Sequence, residues 1–258
     1  MSSVAWFAIR DKRVQRTEGL FEISPAEDAL LATDHPGGLV FLSAHVGDWE
    51  MAHYYLALRG IKVAVVTREV SNRFLDREIA RRRSRLGART IPKRGALSAL
   101  RAAVRGGEPV GLLADQNCPT RERFFDFFGT QASTYTEFAR VLARTRARIL
   151  FITCVRKERD TRFQVILRDL GAGLPDPREV TSVERARLRA DELVRRYLDV
   201  VEDLVRRHPE QYLWIHRRWK SRPTGAPWLY HDLNRPLNLA LLSWKPEEAI
   251  ARNGMEPR

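Results

Sequence analysis

Apolar residues recur along this chain in two patterns. Short runs rich in β-branched and aromatic side chains, at 38–44, 62–67, 109–115, 148–155 and 162–169, hold few polar positions and predict buried strands. Between them, at 48–59, 71–86, 95–105 and 133–146, apolar positions return at helical spacing, and from about 180 to 207 runs a long charged amphipathic helix. Asp48, Ser71 and Ser133 stand where N-caps belong, and Gly60, Gly87 and Gly106 stand where helices should stop. Strand–helix alternation of this kind predicts an α/β fold, with a central, largely parallel sheet flanked by helices. Residues 1–222 read as one domain. The tail, 223–258, carries prolines and two tryptophans but no assignable pattern.

Composition changes this picture in one respect. The 258 residues are 44% apolar and 30% charged, as expected of a folded globular chain, but 45 Lys and Arg face 32 acids, a formal net charge of +13. That excess favours an anionic partner: nucleic acid, an acidic protein or phosphate-bearing lipid. The two cysteines, Cys118 and Cys154, are far apart and in no metal-like spacing, which points to buried fillers in a reducing compartment. No stretch approaches the roughly 18 apolar residues that cross a bilayer. The opening residues, MSSVAWFAIRDKRVQR, hold too short an apolar run for a secretory signal.

The chemistry concentrates in LSAHVGDWEM, residues 42–51. His45 lies just past the end of the first strong strand, the place where open parallel sheets gather ligands. With Asp48 capping the next helix, Glu50 falls in its first turn. A carboxylate that takes the proton of one imidazole nitrogen fixes the tautomer and leaves the other nitrogen as a base. The plainer reading makes His45 a polar loop residue and Glu50 an acid favoured by the helix dipole. A metal site is poorly supported, since no second His cluster or Cys pair completes a shell. Phosphate-cradling glycine loops, the serine-hydrolase elbow and the zinc-protease helix are absent from the sequence. Between Arg68 and Arg94 stand ten basic residues against three acids. Most suit a solvated helix face. Arg68, at a strand end, and Arg94, in the short PKRG loop before a helix, are placed to hold phosphate.

Several blocks, in order, resemble the lipid A biosynthesis acyltransferases of the glycerolipid acyltransferase superfamily. AHVGDWE is similar to that family's block of histidine, four residues and an acid, and VVTREVSNRFLDREIARRR to its segment with arginine and then asparagine before a basic helix. GARTIPKRGAL, EPVGLLADQN with the following FFG, and PEQYLWIHRRWK resemble its later blocks. The resemblance spans about residues 20–222.

It implies a glycerolipid acyltransferase-like fold and an enzyme that moves a fatty acyl chain from acyl carrier protein, or acyl-CoA, to a hydroxyl of a phosphorylated glycolipid. Such a reaction needs no metal or cofactor. The resemblance makes His45 the base and Glu50 its partner, and Arg68, Asn72 and Arg94 candidates for holding the phosphorylated acceptor or the donor. Asp115 falls at the family's Ala-Asp-Gln position and is a further candidate for substrate binding. The implied location is the cytoplasmic face of the bacterial inner membrane. Family members usually begin with a membrane-anchoring helix; here the first block arrives at His45, so attachment through an anionic membrane surface is expected. Rival readings are an acyltransferase for another glycolipid, such as a phosphatidylinositol mannoside, and a non-catalytic basic protein at a membrane or on nucleic acid. No nucleic-acid-binding signature accompanies the charge, so no nucleic-acid partner is expected.

Overall fold

The computed structural model describes residues 19–31, 35, 37–67, 72–85, 87–120, 123–157 and 161–230. Within them the strands are β1 (Phe21–Glu22), β2 (Leu39–Ser43), β3 (Ala64–Thr67), β4 (Thr90–Pro92), β5 (Val110–Leu113), β6 (Phe124–Phe127), β7 (Thr130–Ser133), β8 (Arg148–Arg156) and β9 (Phe163–Asp169). The α-helices are α1 (Pro25–Asp28), α2 (Trp49–Leu58), α3 (Arg73–Arg85), α4 (Ala96–Arg105), α5 (Glu137–Leu142) and α6 (Val183–Arg207).

The described residues form two compact units, one within 19–115 and 136–214, the other within 116–135 and 215–230. The first holds a seven-stranded sheet in the order β1-β9-β8-β2-β5-β3-β4. Neighbours pair in parallel except β8 with β9, which are antiparallel. The sheet is therefore mixed, with five parallel strands and a reversed pair at one side. Every residue of β2 is buried, as expected of a strand covered on both faces. Leu39, Phe41, Leu150, Ile152 and Cys154 join one cluster with Met51, Ala52 and Tyr55 of α2. On the opposite face Phe151 meets Tyr197 of α6, which also packs edge-on against Phe138 of α5. The two-residue period of a strand thus divides β8 between two helical layers.

In the second unit β6 and β7 form an antiparallel hairpin. Trp219, 1% exposed, donates its indole N–H to the carbonyls of Phe127 and Thr130 at the turn. Buried Arg218 donates to the Ser133 carbonyl and the Thr134 hydroxyl, both at 2.6 Å.

The five predicted strands and the long helix are present, α6 being capped by Ser182, whose hydroxyl accepts from Arg185 N–H. The helix expected from a cap at Ser133 begins instead at Glu137, because 130–133 pair with 124–127 and Ser133 Oγ donates to the Cys118 carbonyl. Ser71, the other expected cap, lies outside the described residues. Asn72 does the capping, its side-chain oxygen accepting from Phe74 N–H at 3.0 Å.

Candidate active site

β2 and β5 are neighbours in the sheet, with Ser43 opposite Leu113. Two residues beyond each, the chains end in His45 and Asp115. Parallel register therefore sets these two side by side. The His45 backbone N–H donates to Asp115 Oδ2 at 3.0 Å, and the ring Nδ1 meets Asp115 Oδ1 at 2.8 Å. Asp115 is 1% exposed and the His45 side chain 19%, so a sealed carboxylate carries a partly open imidazole. With the carboxylate ionised, Nδ1 holds the proton and Nε2 carries the lone pair.

The loop around His45 is held on several sides. Its carbonyl accepts from Leu213 N–H at 2.9 Å, and Val46 bridges Tyr212. Thr153 Oγ1 donates to the Val46 carbonyl, and the Cys154 carbonyl accepts from Asp48 N–H, both at 2.6 Å. Gly47 turns the chain with φ +70°; a Cβ there would stand 2.3 Å from the Cys154 oxygen, so only glycine fits. Asp48 then caps α2, its Oδ1 accepting from Met51 N–H, and burial pushes its carboxyl upward. Trp49 lies edge-on to the imidazole, ring centres 4.8 Å apart.

Tyr197 is a residue that sequence reasoning missed. Its fully buried hydroxyl donates to the Ser43 carbonyl at 2.8 Å and accepts from Ala114 N–H at 3.2 Å. One phenol from α6 thus ties together the strand ends that carry His45 and Asp115. Only an apolar heptad position marks it in the sequence.

Glu50 is placed otherwise than expected. Its carboxylate is engaged by the Arg83 guanidinium of α3, with Nε 3.4 Å from Oε2 and Nη2 close to Oε1. The carboxylate on His45 Nδ1 is that of Asp115. The reason is helical geometry: Asp48 already occupies the cap, and Glu50, two residues on, presents a different face of α2. Below it on the same face, His53 is 8% exposed and, among the described residues, has no hydrogen-bond partner for either ring nitrogen. Burial lowers its pKa to about 4.

Of the remaining expected residues, Asn72 and Arg94 are exposed at the starts of α3 and α4, beyond β3 and β4 on the same end of the sheet as His45. Arg68 lies outside the described residues. Among the described residues no group of three His, Cys, Asp or Glu side chains is placed to hold a metal ion, and no helix is long and apolar enough to cross a membrane.

A histidine held by a buried carboxylate thus stands at the strand ends of a mixed α/β sheet, its ring partly open to solvent. The family follows from comparison: residues 5–221 match the model of the bacterial lipid A biosynthesis acyltransferases, and the chain belongs to that family. It is 27% identical over 232 residues to the lipid A biosynthesis palmitoleoyltransferase of Escherichia coli (strain K12), covering 89% of this chain and 70% of that protein. The lipid A biosynthesis myristoyltransferase of the same organism is 26% identical over 198 residues, 76% of this chain and 58% of that one. A shorter match, 55% identical over 31 residues, links it to the lipid A biosynthesis lauroyltransferase, over 12% of this chain and 10% of that protein.

Proposed function

We propose that this chain transfers a fatty acyl group from an acyl carrier protein thioester to a hydroxyl of a phosphorylated lipid A precursor. The observation that carries the chemistry is the 2.8 Å contact between His45 Nδ1 and buried Asp115. His45 Nε2 takes the proton of the acceptor hydroxyl as its oxygen attacks the thioester carbon. A C–O bond forms, and the tetrahedral oxyanion collapses with loss of the carrier thiolate. The proton held on the imidazolium then passes to the departing sulfur, leaving His45 neutral. Asp115 keeps Nδ1 protonated and stabilises the transient imidazolium without taking its proton. General-base help of this kind contributes about 10²- to 10⁴-fold in rate.

Arg94 and Asn72 recognise phosphate in this reading, with Arg68 a further candidate, because guanidinium forks and helix N-termini both suit phosphate oxygens. Glu50 supports the site through Arg83 and α3. The test is incubation of the purified chain with carrier thioesters of several lengths and a lipid A precursor, read by mass spectrometry. Acylated product from the wild type and none from His45→Ala is the expected result. Equal turnover by the folded His45→Ala protein sinks the mechanism.

A further inference from the structure

The end of the sheet that bears His45 exposes apolar side chains amid positive charge. Phe74, in the first turn of α3, is 83% exposed; Leu97, in the first turn of α4, is 42% exposed; and Trp214, next to the Leu213 that bonds the His45 carbonyl, is 42% exposed. α3 and α4 follow β3 and β4, which pair with Thr67 opposite Pro92, and Lys93 N–H donates to the Thr67 carbonyl at 2.8 Å. The two helix starts therefore stand at the same end of the sheet, beside its β4 edge. Arg73, Arg77, Lys93 and Arg94 are exposed around it, with Asp76 the acid of that turn of α3. β4 is three strands from β2, so the corner lies about 14 Å to the side of His45 along the sheet end.

A solvated basic face accounts for the arginines but not for a phenylalanine left almost wholly in water. Apolar tips ringed by cations match a bilayer with anionic headgroups, which accepts the rings below and the charges at its surface. We infer that the β3–α3 and β4–α4 corner inserts Phe74 and Leu97 into an anionic membrane and so presents lipid hydroxyls to His45. The assignment of a lipid acceptor rests on the function proposed above; the insertion itself does not. Val183, 78% exposed, starts α6 at the opposite end of the sheet. A helix of 25 residues holds that end about 37 Å from the other, so Val183 serves as a control.

Phe74→Cys and Val183→Cys proteins, each labelled with a polarity-sensitive fluorophore, test this directly, since the native Cys118 and Cys154 are buried. With phosphatidylethanolamine vesicles containing phosphatidylglycerol, the label at 74 should shift to the blue and be quenched by lipid-borne quenchers, and the label at 183 should do neither. Phe74→Ser with Leu97→Ser should weaken vesicle partitioning by about tenfold or more, an effect that persists in high salt. Arg73→Gln and Arg77→Gln should each weaken it by about fivefold at low salt. No shift at 74, an equal shift at 183, or a shift at 74 that needs only more protein and no vesicles overturns the inference; the last would mean a second copy covers the corner. Transfer to a detergent-dispersed acceptor separates the two readings: insertion without transfer sinks the activity, and transfer without insertion sinks the corner.

Discussion

At the scale of single residues, two carboxylates near one histidine have different partners, and the difference is measurable. Asp115→Asn keeps the shape of the pair but removes the charge that holds Nδ1 protonated, so kcat should fall by about 10²- to 10⁴-fold with little change in KM. Glu50→Gln should cost less, because its carboxylate lies on Arg83. Arg83→Gln should cost about as much as Glu50→Gln, and the double variant no more than either. A strictly additive double variant would separate Glu50 from Arg83 and return Glu50 to a role of its own. Nearby His53 makes a prediction about stability. Burial, the largest effect, holds its folded pKa at about 4 against an ordinary value of 6.5, with Glu50 opposing and Arg83 assisting. The unfolded chain then binds the proton more readily, so this contribution is complete above pH 6.5 and is lost as pH falls toward 4. Denaturant midpoints should decline across that window in the wild type, and His53→Leu should flatten the decline.

At the scale of elements, the decisive piece is the turn from β2 into α2. It is short because Gly47 adopts φ +70°, with its backbone pressed against the Cys154 carbonyl. Gly47→Ala places a methyl group where an oxygen stands. Unfolding free energy should drop by more than about 2 kcal/mol, and activity should fall with it, since the same turn holds His45. A thermal melt matching the wild type would show that this turn has other room. The site was partly legible here. His45, Asp48 and the strand before them follow from pattern and cap chemistry, but the 124–127 and 130–133 hairpin was hidden, because its alternation is short and its two-residue turn, Phe128-Gly129, puts a phenylalanine at φ +56° where Asn, Asp or Gly is usual.

At the scale of the whole molecule, charge is the dominant feature. More than half of the net +13 falls between Arg68 and Arg94. Besides the corner near His45, a cavity of about 460 Å³ near the start of β2 is lined by Arg101, Arg105, Arg140, Arg144 and Arg146. Under the function proposed above, an acidic carrier should therefore be drawn in by the field as well as by contacts. Raising salt shortens the Debye length from roughly 8 Å at physiological strength to about 3 Å at 1 M. KM for the carrier thioester should rise steeply over that range with kcat nearly unchanged, while KM for a small neutral thioester should move little. Equal salt dependence for both donors would remove the electrostatic role in donor binding.

The sequence by itself determined the strand and helix classes, the buried character of β2, the cap at Asp48, the basic balance and the family, because periodicity, cap preference and ordered motif blocks are local properties of the chain. What only the tertiary structure decided was partnership. Asp115 stands beside His45 because β5, 70 residues away, is the strand that pairs with β2, with Ser43 opposite Leu113. Glu50 faces Arg83 because α2 and α3 meet on one face of the sheet, and Tyr197 clamps two strand ends because α6 crosses the other. Strand order and register arise from long-range packing, which no local pattern encodes, so the histidine could be read from the sequence and its carboxylate could not.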